Sequence, residues 1–325
     1  MPKRIVITCG DVNGIGLRCL ADALSRSPVS SEIWLAITPS VLRSAIDVYD
    51  LGGNVTDSIW ILGGQRIGLH ALHKDCAIKP GIPSDDSSLL AIASLETAIT
   101  ETISGRYDAV VTLPINKHAL TNVGWPYAGQ TEMLGAYANG EPLMVLCTHE
   151  IRVALATVHV PLRAVAELIT PELINRRVEQ LLTHVRHGHM IESPSIAVLA
   201  LNPHAGDNGI IGDEDTRILA PAIADLRGRG YNVDGPHPAD GFFAFGRYKN
   251  YDGILAMYHD QGLIPLKLLA QGAGVNVTAG LPIVRTAPDH GTAYDKALGG
   301  DVDSASTRLA IEMAEGLRAR DYVQG

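Results

Sequence analysis

The sequence predicts an α/β protein with a mostly parallel sheet covered by helices. Short apolar runs alternate with segments of helical period along the chain, the order a parallel sheet requires. Glycine and proline, 33 and 18 of the 325 residues, fall at turns between these segments rather than in one low-complexity stretch. Three of the apolar runs also lead into a histidine: IRVALATVHV reaches His159, SIAVLALNPHAG reaches His204 and DGILAMYHDQG reaches His259.

In order, KRIVITCG reads as a strand, followed by the turn Gly10-Asp11-Val12-Asn13-Gly14-Ile15-Gly16 and a helix through Ala23. EIWLAIT is the next strand and SIWILGG a further candidate. Asp85 to Ser104 is the clearest helix. Leu89, Ile92, Ala93, Leu95, Ala98, Ile99 and Ile103 recur at helical spacing, Asp and Ser stand at the start, and Gly105 lies just past the end. It feeds the buried strand of YDAVVTLPINK. From about Gly140, PLMVLCT and VALATVHV read as strands, and Thr170-Pro171-Glu172 opens a helix with its cap and first-turn proline in order. SIAVLAL, a helix from about Asp213 to Gly228, and DGILAMY follow. GVNVTAGLPIVRT is strand-like, and Ser304 to Arg318 closes the chain as an amphipathic helix. No proline-rich or charged linker separates independent domains, so a cleft between closely connected lobes is expected.

Composition excludes several classes. The chain is 46% hydrophobic and 19% charged, with no apolar run near the roughly 18 residues a membrane span needs. MPKRIVITCGD passes straight into a strand without the apolar stretch and cleavage site of a signal peptide, so a cytoplasmic protein is expected. A net charge of −9 argues against nucleic acid as a partner, though not against a small anion met by local Lys and Arg. Cys9, Cys19, Cys76 and Cys147 lie far apart without a C-x-x-C pair, as small buried residues of a reducing compartment do.

In an open parallel sheet, ligands gather outside the carboxyl ends of the strands. His159, His204 and His259, each at such an end, are therefore candidates for one metal, since three imidazoles leave coordination positions for substrate oxygens. The alternative is three ordinary loop histidines. Gly10-x-x-x-Gly14-x-Gly16 suits either close ligand approach or tight strand–helix packing. Lys117, in Leu113-Pro114-Ile115-Asn116-Lys117, is either an anion contact or a solvated lysine. Gln130 and Thr131 can bond a substrate, or Thr131 can cap the next helix. Asp260 is placed to fix the tautomer of His259. Lys267 is a candidate proton carrier or charge clamp, or a surface lysine. Asn276 and Arg285 flank an apolar segment, and a guanidinium embedded there is expected to pair with a carboxylate or phosphate. Asp289-His290-Gly291-Thr292-Ala293-Tyr294-Asp295 is a turn, or a loop that wraps an adenosine with Asp295 on the ribose. Phe242, Phe243 and Phe245 read as a subunit contact, a lid or core filling.

In this order the pieces ITCGD..GIG, LPINK, G.TE.L, TVHVPL, LNPHAGD.G..G.E, MYHDQGLIPLK and GVNVTAGLPIVRTAPDHGTAYD resemble the bacterial 4-hydroxythreonine-4-phosphate dehydrogenase family of vitamin B6 synthesis, over residues 5 to about 310. The last piece is also similar to the H-G-S-A adenosine loop of isopropylmalate dehydrogenases. The resemblance implies two α/β/α lobes with mostly parallel sheets, like those of isocitrate and isopropylmalate dehydrogenases, with the active site in the interlobe cleft. Residues 1–125 plus 280–325 would form a nucleotide-binding lobe and residues 126–279 a metal-binding and dimerisation lobe. It further implies oxidation and decarboxylation of 4-phosphooxy-L-threonine to 3-amino-2-oxopropyl phosphate, dependent on NAD or NADP and on a divalent Zn, Mg, Mn or Co ion. His159, His204 and His259 would hold the metal in a homodimer whose partner chain supplies one of them. Thr131, Lys267, Asn276 and Arg285 would line the substrate and His290, Gly291, Thr292 and Ala293 would hold the dinucleotide; from the residues themselves, Gln130 is a further candidate for substrate, Asp295 for the ribose, and Lys267 and Asp260 for catalytic roles.

Two departures stand out. The family usually reads GHTE where this chain reads Gly129-Gln130-Thr131-Glu132, which replaces an imidazole by an amide that cannot shuttle a proton near neutral pH. It usually reads GDPAGIGPE where this chain reads GDVNGIGLR. The first keeps open another phosphorylated hydroxy acid, such as 4-phospho-threonate or 4-phospho-erythronate. Outside the class stand a metal-dependent hydrolase or aldolase without nucleotide and a non-catalytic phosphate sensor.

Overall fold

The computed structural model describes residues 2–26 and 28–319. It divides into two compact units, Met1–Gly140 with Leu281–Gly325, and Glu141–Gly280.

The first unit opens with β1 (Arg4–Thr8), four of whose five residues are buried, as in strands covered on both faces. The glycine turn leads to α1 (Gly16–Arg26), and β2 (Glu32–Ile37) with α2 (Pro39–Tyr49) repeats the pattern. β3 (Asn54–Val55), β4 (Ile59–Leu62) and β5 (Gln65–Ala71) form an antiparallel edge. Ser84 caps α3 (Asp85–Ile103), accepting from the Ser87 amide at 3.2 Å, while Asp85 and Asp86 favour the positive end of the helix dipole. β6 (Ala109–Val111), α4 (Lys117–Asn122) and α5 (Gln130–Tyr137) follow.

The second unit starts with the antiparallel pair β7 (Leu143–Cys147) and β8 (Arg152–Leu155), then α6 (Leu162–Leu168). Thr170 caps α7 (Pro171–Thr183), with Pro171 where its missing N–H is harmless. Next come β9 (Ile196–Leu199), α8 (Ala220–Gly228), β10 (Val233–His237), α9 (Ala239–Ala244), β11 (Gly253–Ala256), α10 (His259–Ala270) and β12 (Val275–Ala279). The chain then returns to the first unit with β13 (Val284–Pro288) and α11 (Ala305–Gly316).

The strands of the first unit run β13-β6-β1-β2-β5-β4-β3, parallel from β13 to β5. Those of the second run β10-β9-β11-β8-β7-β12, parallel from β10 to β8. The fold is thus α/β with mostly parallel sheets. Three local readings are corrected. GVNVTAGLPIVRT is two strands, β12 antiparallel to β7 and β13 parallel to β6, because Gly280 at φ +79° breaks the run. The helix expected from Asp213 begins with a π-helical turn, Asp215–Leu219, before α8. The strands before the histidines also end earlier than the apolar runs do, so each imidazole stands a few residues beyond the sheet.

Each unit has its own core. Leu95, Ile99, Tyr107, Val110, Met133 and Leu134 belong to the first; Val153, Leu155, Leu199, Phe242, Ile254 and Leu263 belong to the second. The phenylalanine group divides: Phe242 is buried, Phe243 partly buried, and Phe245 exposed. The four cysteines are free thiols, and Cys9, Cys19 and Cys147 are buried. Among the described residues, no helix is long and apolar enough to cross a membrane.

A π-helical turn, His184–Gly188, continues α7 and sets the rings of His184 and His189 edge-to-face, 5.1 Å apart. The Arg152 Nε donates to His189 Nε2 at 3.1 Å. Burial, with the charge of Arg152 second, lowers His184 to about 4 and His189 to about 3. An unfolded histidine binds its proton near pH ~6.5. Between that value and the folded ones the unfolded chain holds more protons, so stability falls as pH falls. Each buried neutral histidine contributes a slope of up to about 1.4 kcal/mol per pH unit in that window. Urea midpoints are therefore expected to drop on going below about pH 6.5, and His184→Gln should make the drop shallower. An identical pH slope in that variant would assign the acid sensitivity elsewhere.

Candidate active site

In the second unit, β9, β11 and β8 are parallel neighbours, so the segments that follow them leave the sheet at the same edge. His159 follows β8, and His259 opens α10 just after β11. Their ring centroids are 5.7 Å apart. A cavity of about 430 Å³ beside them is lined by His159, His259, Asp260, Tyr258, Leu162 and Val165. His259 Nδ1 lies 2.7 Å from Asp260 Oδ1, a bond that fixes the tautomer with Nε2 left to accept a ligand. Among the described residues of one chain, no three His, Cys, Asp or Glu side chains come together as a metal-holding group. His204 therefore does not join the His159–His259 pair within a single chain.

His204 sits in a different kind of backbone. His204, Ala205, Gly206, Asp207 and Asn208 all have positive φ, from 45° to 78°, a left-handed turn that glycine adopts freely, Asp and Asn tolerate, and His204 and Ala205 adopt at a cost. Asp215, which sequence reading missed, fastens its start. Its buried carboxylate accepts from the backbone amides of Leu201 at 2.7 Å and Asn202 at 3.0 Å, and from Asn202 Nδ2 at 3.0 Å. Asn202 Nδ2 also donates to Glu214 at 2.8 Å. A Cβ at Gly206 would lie 2.2 Å from the Gly212 carbonyl oxygen, so the turn closes only on a glycine. Elsewhere in this unit, Lys267 lies exposed on α10, and Asn276 on β12 has a buried Oδ1 with no hydrogen-bond partner.

In the first unit the guanidinium of Arg285 is buried on β13. Its Nε and Nη2 donate to Thr112 Oγ1 at 3.0 and 2.7 Å, and Nη2 also donates to Gln130 Oε1. The expected carboxylate or phosphate partner is replaced, in these bonds, by two neutral oxygens. Burial lowers this guanidinium to about 10, which leaves it charged at neutral pH. Gln130 in turn accepts from Thr112 Oγ1 at 2.6 Å and donates to the Leu113 carbonyl at 3.2 Å. Thr131 is not the cap of α5, since Gly129 holds that position and Thr131 lies within the first turn. A Cβ at Gly129 would stand 2.9 Å from Glu132 Oε2 and 3.3 Å from Lys117 Nζ, so that glycine lets both side chains close in.

The glycine turn after β1 is a packing turn. The Ile15 amide donates to the Thr292 carbonyl at 2.9 Å, and a Cβ on Gly14 would lie 2.6 Å from that oxygen. Asn13, at one of the departures from the family pattern, accepts from the Lys79 amide at 2.7 Å and donates to the Ile82 carbonyl at 2.9 Å. Tyr294 donates to Asp11 Oδ2 at 2.5 Å. The loop from Asp289 is pinned to α11: the Asp289 amide donates to Ser306 Oγ at 2.8 Å, and His290 Nε2 lies 3.2 Å from Thr307 Oγ1. Ala293 takes a left-handed φ of 42°, while Gly291 and Asp295 face solvent.

The family described as "Pyridoxal phosphate biosynthetic protein PdxA" matches residues 32–314. A 4-hydroxythreonine-4-phosphate dehydrogenase from Chromobacterium violaceum is 44% identical, covering 98% of each chain. One from Bacteroides thetaiotaomicron is 40% identical over 96% of this chain and 87% of its own. The crystal structure of a 4-hydroxythreonine-4-phosphate dehydrogenase from Klebsiella pneumoniae superposes with a TM-score of 0.86 at 34% identity, covering 97% of this chain and 98% of that one. By the extent of these matches, the chain belongs to the PdxA family of pyridoxal phosphate biosynthetic proteins.

Proposed function

We propose that this chain is a cytoplasmic NAD- or NADP-dependent dehydrogenase. It oxidises 4-phosphooxy-L-threonine at its hydroxyl carbon and releases carbon dioxide, leaving 3-amino-2-oxopropyl phosphate and reduced dinucleotide. The observation that carries the reading is the His159–His259 pair beside one cavity, with Asp260 holding the second imidazole. The names of its relatives support the substrate.

We assign a divalent Zn, Mg, Mn or Co ion to His159, His204 and His259. The donor set fits, because neutral imidazoles suit an ion such as Zn, substrate oxygens in the remaining positions would suit Mg or Mn, and Asp260 orients one imidazole. Because His204 stands apart from the pair within one chain, a second copy supplies the third ligand. A homodimer would bury some of the large apolar side chains that the second unit leaves exposed, among them Leu162, Ile210, Phe245 and Leu268. A divalent ion held by these imidazoles would supply Lewis-acid polarisation of the substrate's oxygens.

The protein's own groups do the rest. Arg285 stays charged in a buried setting and neutralises an anionic group of the substrate, with Gln130 and Thr131 bonding beside it. Asn276 Oδ1, a buried acceptor without a partner, receives a substrate N–H or O–H. Lys267 takes the proton from the substrate hydroxyl as hydride leaves its carbon for the dinucleotide, and returns a proton to the neighbouring carbon that loses carbon dioxide; its place on α10, after His259, keeps it on the helix that begins at the site. The loop of His290, Gly291, Thr292, Ala293 and Asp295 holds the dinucleotide, with Asp295 on a ribose hydroxyl.

A second reading rests on Gln130. The amide oxygen that would meet a substrate ammonium is already engaged by Arg285 and Thr112, which favours a substrate without that ammonium, such as 4-phospho-erythronate. Absorbance at 340 nm is expected to rise when the protein is given NAD, a divalent metal and 4-phosphooxy-L-threonine, with kcat/KM at least about tenfold above that for 4-phospho-erythronate. The opposite ratio would exchange the two readings, and no reduction of NAD or NADP with either would end both. His204→Ala is expected to cost orders of magnitude in turnover with the fold kept. Asp260→Asn should weaken metal binding by about tenfold to a hundredfold, measured by titration of the metal-stripped protein.

A further inference from the structure

We propose that Thr112 is a positioning residue that aims the Arg285 guanidinium at the anionic group of the substrate. The inference rests on the substrate role given to Arg285 above. Its starting point is a hydroxyl whose hydrogen-bonding capacity is completely used. Thr112 Oγ1 donates its proton to Gln130 Oε1 at 2.6 Å and accepts from Arg285 Nε at 3.0 Å and Nη2 at 2.7 Å. A hydroxyl offers one donor and two lone pairs, and all three have partners here.

The chain of donors runs one way, Arg285 to Thr112 to Gln130, and it is closed by Gln130 Nε2 donating to the Leu113 carbonyl at 3.2 Å. That last bond decides which end of the Gln130 amide faces Arg285: the oxygen, as the guanidinium requires. Thr112 itself cannot drift. It is 1% exposed, its amide donates to the Thr286 carbonyl at 2.9 Å, and a β-branched side chain has little freedom at χ1. Its neighbours Val110 and Val111 pair in parallel register with Arg285 and Thr286. The guanidinium therefore turns its Nε–Nη2 edge onto Thr112, and the plane of the fork is set before any ligand arrives. Fixing that plane in advance lowers the cost of ordering the guanidinium when an anion binds. Gln130 is the second half of the device. As an untitratable amide it accepts from Arg285 at every pH at which the enzyme works, and thus adds no proton of its own to the pH profile.

Thr112→Val keeps the shape and removes the hydroxyl, and Thr112→Ser keeps the hydroxyl and loosens it. With 4-phosphooxy-L-threonine, Thr112→Val is expected to raise KM by about tenfold or more, the scale of losing a bond to a charged donor, while kcat changes by less than about threefold, the pattern of lost ground-state binding. Thr112→Ser should recover most of the KM. An unchanged KM in Thr112→Val, or an equal loss in Thr112→Ser, would overturn the assignment. A second measurement needs no turnover: the Arg285 Nε–H proton of the wild type, assigned by its loss in Arg285→Lys, should exchange slowly with water by NMR. Fast exchange would overturn the tether. Should the wild type fail to oxidise the substrate, the functional reading falls and this exchange rate alone decides, for the tether if slow and against it if fast.

Discussion

Parallel pairing of β8, β11 and β9 is the constraint on which the candidate site rests. Ile254 faces Val153 on one side and Ala197 on the other, and all three strands are buried apart from the partly buried Arg152 that opens β8. In parallel strands the chain leaves every strand at the same edge, so whatever residues follow are gathered without any contact among themselves having to form first. A slip of one residue would turn the buried set of a strand to the opposite face of the sheet, so the register that protects the core also fixes where His159 and His259 emerge. The fold thereby separates two demands: apolar packing holds the strands, and the polar residues beyond their ends are left for chemistry.

The way each histidine is held differs, and the difference has a physical cause. His259 stands at the start of α10, where the helix backbone is already ordered and Asp260 alone settles the ring. His204 hangs on a left-handed turn whose conformation it and Ala205 adopt at a cost. Such a turn persists only when its surroundings over-determine it. Asp215 and the close approach of Gly206 to Gly212 supply that determination. Strain of this kind belongs where a side chain must point outward to something other than its own core.

Much of this was legible in the sequence, and the illegible part has a common character. The alternation of strands and helices, the caps of α3 and α7, and the imidazoles beyond the strands could be read because each is a pattern of neighbours along the chain. The division of GVNVTAGLPIVRT was hidden because Gly280 looks like a single small residue within an apolar run, although its positive φ ends β12. Thr112 and Asp215 were missed for another reason. Thr112 meets Arg285 across 173 positions, and nothing local in AVVTLP marks its hydroxyl as the acceptor of a buried charge. Asp215 reads as an ordinary carboxylate near a helix start, whereas its partners lie before the turn it fastens. The departures from the family pattern at Gln130 and Asn13 were visible as letters, but their roles in holding Arg285 and the segment from Lys79 to Ile82 required the contacts.

The central proposition is that His159, His204 and His259 together hold one divalent ion, with the third imidazole given by a second copy of the chain. Metal content and mass measured together on mixed dimers test it most directly. Dimers assembled from one His204→Ala chain and one His159→Ala/His259→Ala chain would each hold one intact site and one lacking all three ligands. The account predicts one tightly bound ion per mixed dimer, against two in the wild type and none in either parent variant. Two ions in the mixed dimer, or tight binding retained by a parent, would contradict it.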